Sequence, residues 1–340
     1  MSVSFLLGRS GSGKTERMLE EIIEELQERP LGPPIIIIVP DQMTFQIEYE
    51  LAKRLPSNGM IRAQVYSFSR LAWRVLQDTG GLTRVPIDST GISMLIRKIL
   101  NERKNDLRLF QSQGDKKGFI EKLGELLTEL KRYCVQPEEL LQLQNELEQK
   151  GRSTLTDKLN DLPLVLQAFQ ERIEGKYIDQ EDSLRLLAEQ MPDSQLLNGA
   201  TVYVDGFYSF TPQEYEVIAS LMNCSVHIHF LLTLDRTYHH GLPDELNLFR
   251  MSGETYATLY QMAKDAGIYC EDEIAENQYR AHISLNHLEG ELMSMPPHPF
   301  LEDTAITMAE AANRRAEVEG MAQTIHKLVR EEDYRFRDIA

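Results

Sequence analysis

Eight residues near the start of the chain have the spacing of a phosphate-binding loop. They fit the pattern G-x-x-x-x-G-K-[ST] and are Gly8, Arg9, Ser10, Gly11, Ser12, Gly13, Lys14 and Thr15. Such glycines let backbone N–H groups turn toward an anion, while the lysine reaches the β- and γ-phosphates and the threonine hydroxyl binds Mg²⁺. The motif requires a preceding strand and a following helix. Residues 3–7 are apolar, and apolar residues recur at helical spacing from Lys14 to Leu26, so both are predicted and we expect ATP here.

One aspartate is placed to complete a magnesium site. Asp205 ends the apolar run Tyr203-Val204-Asp205, and its carboxylate would hold Mg²⁺ together with Thr15. The alternative is an aspartate that caps a helix or forms a turn. Enzymes of this class that hydrolyse ATP usually have a glutamate at the next position, whereas this chain has Gly206. Binding without efficient hydrolysis is therefore open, unless Glu214 or a residue of a partner replaces that glutamate.

Two further segments follow predicted strands and offer groups that suit single-stranded DNA. Because strand ends of a parallel sheet meet at one edge, both segments should lie beside the phosphate loop. Their amides, hydroxyls, aromatic ring and cation suit a sugar–phosphate backbone with stacked bases. The candidate contacts are Pro40, Asp41, Gln42, Ser67, Phe68 and Arg70. Arg62, Arg74 and Arg84 could extend a basic track. The alternative is that Phe68 and Trp73 are core residues and that the arginines are solvated.

Two other groups of polar residues occur on or after a later strand. His227 and His229 share one face of a predicted strand over residues 226–232. No third ligand stands at a metal-binding spacing, so a structural role is favoured. Asp235 and Arg236 follow this strand beside the expected nucleotide, where they would sense the γ-phosphate or pair with each other.

Strands and helices alternate over the first hundred residues and again after residue 200. The predicted strands cover residues 3–7, 35–39, 61–66, 201–205 and 226–232. The predicted helices follow the phosphate loop, run from a Thr44 cap to about Arg54, follow a Ser69 cap, and cover residues 213–223 and 254–266. This order predicts an α/β fold, a RecA-like P-loop domain with a parallel sheet that binds ligands at the carboxyl ends of its strands.

The segment between these two regions has a different pattern. Residues 88–190 show amphipathic helical periods without a strand signal, apart from a polar stretch at 145–160 that we expect to hold a loop. After a linker at Pro296-Pro297, the sequence predicts a strand at 306–308, a helix at 316–331 and a strand that begins at Tyr334. The domain hypothesis is a RecA-like ATP-binding domain over 1–100 and 195–295, an all-helical insertion over 101–194, and the start of a second RecA-like domain over 300–340.

Composition narrows the classes of function. The 340 residues are 42% hydrophobic and 26% charged, as in a soluble globular protein, and the three cysteines do not form a C-x-x-C pair. We expect a cytoplasmic protein with reduced thiols. The formal net charge of −17 repels nucleic acid on average, so a DNA contact must be local, and it disfavours a membrane-surface role.

Four strings together resemble superfamily 1 helicases of the UvrD/RecB type and, more closely, the AddB family, whose members pair with AddA in bacterial AddAB helicase–nucleases. They are Leu7 to Thr15, Val39 to Phe45, Ser67 to Leu76 and Tyr203 to Glu214. By this resemblance the first string is motif I, and the second is motif Ia, which touches single-stranded DNA. Asp205 belongs to motif II, residues 233–236 to motif III, and Glu317 opens the second RecA-like domain.

The resemblance implies a particular role. The chain would bind ATP and Mg²⁺ without being the motor, pair with an AddA-like helicase–nuclease subunit, and bind double-stranded DNA ends and single strands. It would serve double-strand-break repair by homologous recombination and take part in recognising the hotspot Chi. AddB proteins also carry a C-terminal nuclease region and a [4Fe–4S] cluster, for which this chain has no matching ligands. No glutamine motif precedes the phosphate loop, so adenine selection has no assigned residue.

Two rival hypotheses remain open. A degenerate P-loop scaffold would bind a partner subunit and DNA without using nucleotide, and Gly206 and the acidic composition favour it. An unrelated P-loop kinase would fit the first forty residues but not the long helical segment.

Overall fold

A computed structural model describes residues 1–55, 61–81, 84–114, 116–149, 153–224, 227–239, 241–275, 282–292 and 294–339. The chain divides into two compact units, Met1–Asn277 and Gln278–Ala340. Within the described residues, no helix combines the length and apolarity needed to cross a bilayer.

The first unit contains a six-stranded sheet, formed by described residues, in which every neighbouring pair is parallel. Its strands are β1 (Ser2–Gly8), β2 (Ile35–Ile38), β3 (Ala63–Tyr66), β6 (Thr201–Val204), β7 (His227–Thr233) and β8 (Tyr269–Ile274). Their order is β3-β2-β6-β7-β1-β8, so β3 and β8 are the edges. This confirms the predicted parallel α/β fold. Val226, the first residue of the predicted fifth strand, lies outside the described residues, and β8 was not predicted at all.

Helices cover both faces of the sheet because its strands are apolar on both sides. The helices are α1 (Lys14–Glu28), α2 (Asp41–Arg54), α3 (Phe68–Thr79), α9 (Pro212–Cys224) and α10 (Arg250–Asp265). Ile35 and Ile37 face a core shared with α1 and α2, while Ile36 and Ile38 face a core shared with α3, α9 and α10. Alternate residues of a strand point to opposite faces, so this tetrad of isoleucines serves two cores.

The two predicted helix caps next to the site are wrong. Helix α2 begins at Asp41 with Pro40 as its N-cap residue, and Thr44 lies inside the first turn, where its hydroxyl donates to the Asp41 carbonyl at 2.9 Å. Helix α3 is capped by Ser67, whose hydroxyl accepts from the backbone N–H of Arg70 at 3.4 Å. The segments expected as loops are thus the first turns of helices, which fixes their direction relative to the strand ends.

The helical segment has a core of its own. Its helices are α4 (Ser89–Glu102), α5 (Lys117–Arg132), α6 (Pro137–Gln149), α7 (Ser153–Ile173) and α8 (Gln180–Gln190). Residues from Ile96 to Ile173 form one hydrophobic cluster, whereas α8 contributes Leu184 and Leu187 to the core of the sheet. The loop expected at 145–160 lies between α6 and α7, and residues 150–152 of it are outside the described residues. Two-residue strands β4 (Val85–Pro86) and β5 (Tyr177–Ile178) pair in parallel beside the helices.

A buried aspartate organises the connection between α4 and α5. Asp161 on α7 is fully buried, and its carboxylate accepts the backbone N–H groups of Arg108, Leu109 and Phe110 at 2.7–2.8 Å. These bonds fix the start of a 3₁₀ turn, Phe110–Ser112, against the helical core.

The second unit consists of α11 (Ile283–Glu291), α12 (Arg314–Glu331) and a 3₁₀ turn, Phe336–Asp338. Helix α12 matches the predicted helix, and Asn313 caps it by accepting the Ala316 N–H at 3.0 Å. The predicted strand at 306–308 is absent from these described residues, and the 3₁₀ turn replaces the strand expected from Tyr334. Short apolar runs without a partner strand in the same unit do not form a ladder.

Candidate nucleotide site and adjoining cleft

The phosphate-binding loop has the conformation that its glycines predict. Residues 9–13 join the end of β1 to the start of α1, and Gly11 and Gly13 have positive φ angles of 79° and 83°. Positive φ at these positions turns successive N–H groups inward, which forms a concave anion site at a helix N-terminus. The Lys14 ammonium lies within this loop and donates to the carbonyls of Gly8 at 2.7 Å and Arg9 at 3.1 Å.

Asp205 reaches the same place from β6. Its Oδ2 atom accepts the Thr15 hydroxyl at 2.6 Å, and its Oδ1 atom accepts the backbone N–H of Gly206 at 2.8 Å. The side chain is 5% exposed. Thr15 and Asp205 are therefore in contact although 190 positions apart, as the sequence hypothesis requires of the two Mg²⁺ ligands. Asp205 does not cap a helix.

Burial shifts both charged groups of the site toward their neutral forms. It lowers the pKa of the Lys14 ammonium, which the nearby Asp205 only partly offsets. It also raises the pKa of the Asp205 carboxyl, against the hydrogen bonds from Thr15 and Gly206 and the charge of Lys14. A triphosphate beside the lysine and a divalent cation beside the aspartate would each favour the charged form. The residues present therefore fit Mg²⁺-nucleotide.

The position after Asp205 has no room for a side chain. Gly206 has φ 82°, and a Cβ atom placed there would lie 2.6 Å from Met43 Sδ and 3.0 Å from Pro40 Cδ. The volume that a hydrolytic glutamate would occupy is thus filled by the first turn of α2. Sequence reasoning found Gly206 but could not have found Met43, because nothing in the sequence pairs the two positions.

Glu214 does not replace the missing glutamate. Its carboxylate accepts the Thr211 N–H at 2.8 Å, and its own N–H donates to the Thr211 hydroxyl at 3.3 Å, which is a capping box at the start of α9. The carboxylate is occupied with holding that helix end.

Most of the candidate DNA contacts line one cleft of about 290 Å³ at the carboxyl edge of the sheet. Pro40, Asp41 and Gln42 come from the start of α2, and Ser67 and Phe68 from the start of α3. The wall is completed by residues that the sequence did not single out for DNA contact, namely Ser69, Arg132, Leu184, Phe207, Thr211 and Glu214. Phe207, Thr211 and Glu214 could have been found because they follow Asp205 closely, whereas Arg132 comes from α5 and carries no local signal.

Some of the proposed aromatic and basic contacts have other places. Phe68 is 4% exposed and packs edge-on against Phe207 and Phe210, so it is mainly a core residue at the floor of the cleft. Trp73 is 57% exposed, which contradicts the interpretation of it as core. Arg70 lies outside the cleft lining and pairs with Glu48 at 3.3 Å.

The predicted basic track is not continuous. Arg62 is buried, pairs with Glu25 and donates to the carbonyls of Arg29 and Pro33, so it has a structural role. Arg74 is exposed on α3, whereas Arg84 lines a separate cleft against the helical segment.

The histidines of β7 make structural contacts. His227 Nδ1 bonds to the Ser2 hydroxyl and His229 Nδ1 to the Ser4 hydroxyl, both at 2.6 Å, across the β1–β7 ladder. The ring of His229 also stacks on Tyr203, and burial lowers its pKa. Among the described residues, no three histidine, cysteine or acidic side chains are grouped as metal ligands.

The segment after β7 approaches the phosphate loop. The Leu234 N–H donates to the Gly8 carbonyl at 3.2 Å, which places Asp235 and Arg236 next to the loop. These two side chains pair at 3.7 Å, and Tyr238 donates to Asp235 at 3.0 Å, so the ion-pair alternative describes this structure.

An all-parallel sheet with a glycine loop between its first strand and helix, and an acid at the end of a nearby strand, defines the class as RecA-like P-loop proteins. Residues 5–289 match the family described as "ADDB, N-terminal". The chain therefore belongs to the AddB family and corresponds to its N-terminal region.

Curated relatives agree with this assignment. The chain is 47% identical over 346 residues to the B-type chain of the ATP-dependent helicase/deoxyribonuclease of Bacillus subtilis (strain 168). It is 49% identical over 347 residues to the protein of the same name in Geobacillus kaustophilus (strain HTA426), and 48% in Geobacillus thermodenitrificans (strain NG80-2). Each alignment covers 100% of this chain and 30% of the relative, so the chain spans less than a third of their length.

Proposed function

We propose that this chain is the ATP-binding and DNA-contacting part of the AddB component of a cytoplasmic, heterodimeric ATP-dependent helicase–deoxyribonuclease. Its partner would be an AddA-like subunit, and its substrates double-stranded ends and the single strands made from them. In that assembly it serves double-strand-break repair by homologous recombination and takes part in recognising Chi. The domains would be a RecA-like domain in two segments, 1–100 and 195–295, a helical insertion at 101–194, and the start of a second RecA-like domain at 300–340.

The observation that carries the nucleotide part is the Thr15–Asp205 contact at the rim of the phosphate loop. The loop amides and Lys14 bind the phosphates, and Thr15 and Asp205 would hold Mg²⁺. Bound Mg²⁺ would neutralise charge on the phosphate oxygens. Because Met43 and Pro40 fill the space beside Gly206, the chain itself has no acid there to orient water. The segment thus binds ATP without being the motor.

The observation that supports the DNA part is the cleft shared by the starts of α2 and α3. Its hydroxyls, amides and Arg132 suit a sugar–phosphate backbone, and its position at the strand ends places it beside the nucleotide site.

A titration with a fluorescent ATP analogue and Mg²⁺ tests the nucleotide part. Lys14→Ala removes charge-assisted bonds worth about 1.5–3 kcal/mol, so the Kd should rise by about ten- to a hundredfold. Lys122→Ala, an exposed lysine of α5, is the matched control and should leave the Kd unchanged. A wild-type chain without a saturable signal would instead support the nucleotide-independent scaffold, which Gly206 also permits.

A further inference from the structure

Helix α2 carries an exposed stripe of polar and aromatic side chains that starts at the cleft. Gln42, Phe45, Gln46, Tyr49 and Lys53 are spaced by one, three or four residues, so they share one face of the helix. All five are exposed. At 1.5 Å per residue, the stripe runs about 16 Å from the cleft.

The two aromatic rings of the stripe are unusually open to solvent. Phe45 is 74% exposed and Tyr49 is 55% exposed. Their ring centroids lie 6.2 Å apart with planes at 25°, so they stack loosely on each other. Contiguous exposed aromatic surface marks a binding site more often than it occurs by chance. Aromatic faces of this kind accept stacked nucleobases whatever the base sequence.

The charges around the stripe favour a polyanion although the chain is acidic overall. Lys53 ends the stripe, and the acids that flank the rings are engaged with arginines. Glu48 pairs with Arg70 at 3.3 Å, and Glu50 with Arg54 at 3.2 Å. The local surface is therefore close to neutral or cationic, against a net charge of −17 for the chain.

We propose that single-stranded DNA leaving the cleft continues along this stripe, with bases on Phe45 and Tyr49 and a phosphate on Lys53. The proposal rests on the DNA role suggested for the cleft, and Gln42 connects the two because it lines the cleft and begins the stripe. The ligand class is single-stranded nucleic acid without sequence preference at these two rings. The α2 stripe then lengthens the footprint rather than reading sequence.

The test compares oligothymidylates of five and fifteen nucleotides by fluorescence anisotropy. Phe45→Ala with Tyr49→Ala removes both stacking faces from exposed positions, so the fold should persist. The Kd for the fifteen-mer should rise at least tenfold, and that for the five-mer should change little. Tyr269→Ala is the matched control, because Tyr269 is 68% exposed on β8 at the opposite edge of the sheet. Lys53→Gln should lower the salt dependence of fifteen-mer binding by about one phosphate contact.

The possible results separate this inference from the function on which it rests. If the wild-type chain binds neither oligomer, the DNA role of the cleft fails. If it binds both and the double variant behaves like Tyr269→Ala, the cleft role stands and the stripe proposal is overturned. Loss of association with the AddA-like partner with unchanged DNA affinity would also overturn it, and would make the stripe a protein interface.

Discussion

Gly206 offers the sharpest test of how the nucleotide site is built. Substitution by alanine places a Cβ atom 2.6 Å from Met43 Sδ and 3.0 Å from Pro40 Cδ, at a φ of 82°. A left-handed backbone costs a non-glycine residue about 1–2 kcal/mol. Overpacking a filled site costs about 1–3 kcal/mol. Gly206→Ala should therefore lower the free energy of unfolding by about 2–5 kcal/mol.

A double-mutant cycle separates the two contributions. Met43→Ala removes the nearer obstacle, so Gly206→Ala in that background should keep the backbone cost but lose most of the packing cost. The coupling between the two substitutions should then be about 1–3 kcal/mol, measured by urea unfolding followed by circular dichroism. Additive effects would show that Met43 does not occupy the space beside Gly206.

The same geometry predicts the outcome of restoring the glutamate. Gly206→Glu alone should unfold the site and give no ATP hydrolysis in a phosphate-release assay. A stable Gly206→Glu variant that hydrolyses ATP would refute the reasoning, because it would show that the position was never closed.

Three further predictions concern other parts of the first unit. Without nucleotide, Asp205→Asn should raise the melting temperature at pH 7–8, and the gain should shrink toward pH 5. The reason is that burial raises the pKa of Asp205 in the folded chain, so its charge costs stability above that pKa and the cost disappears on protonation; a gain that grows as the pH falls would contradict this. Asp161→Asn should cost about 3 kcal/mol in urea unfolding, because one amide cannot accept three backbone N–H bonds with a charged group's strength; an unchanged midpoint would disprove its structural role. Glu48→Gln should increase single-stranded DNA affinity about two- to fivefold at low salt by releasing Arg70, whereas Glu20→Gln on α1 should have a much smaller effect; equal effects would mean that only net charge matters.

The strongly patterned elements could be predicted from the sequence. Ile35 to Ile38 form a strand because four branched apolar residues are buried on both faces, and a helix cannot satisfy that burial in so short a run. The phosphate loop was equally clear, since its function restricts residue type at fixed spacings.

Strand β8 was missed for the opposite reason. As an edge strand with Glu271, Asp272 and Glu273 in succession, it has neither alternation nor an apolar run, and only pairing with β1 holds it. No local signal of that kind exists in the sequence.

The helix phases near the site were partly readable. On α3, Phe68, Leu71 and Val75 recur at helical spacing and point inward, so Trp73 falls on the outer face. The expectation that it is buried weighed residue type above phase. The cap errors arose because Ser and Thr occur at several positions near each helix start, and only backbone geometry selects one.

The contacts that shape the site were beyond sequence reasoning. Met43 meets Gly206 and Arg132 meets the cleft through packing between elements distant in the chain. One sequence cannot reveal such pairs.

The order of strands in the sheet also has a consequence for synthesis on the ribosome. Strand β2 lies between β3 and β6, and β1 pairs with β7 and β8, so two early, strongly apolar strands wait for partners made much later. At about 5–20 residues per second, about 160 residues separate Ile38 from Thr201 and take about 8–30 s to translate. During that interval the helical segment, with its own core, emerges and can fold first. The nascent chain thus exposes an isoleucine-rich edge for seconds, and chaperone dependence during translation should depend on that delay more than on final stability.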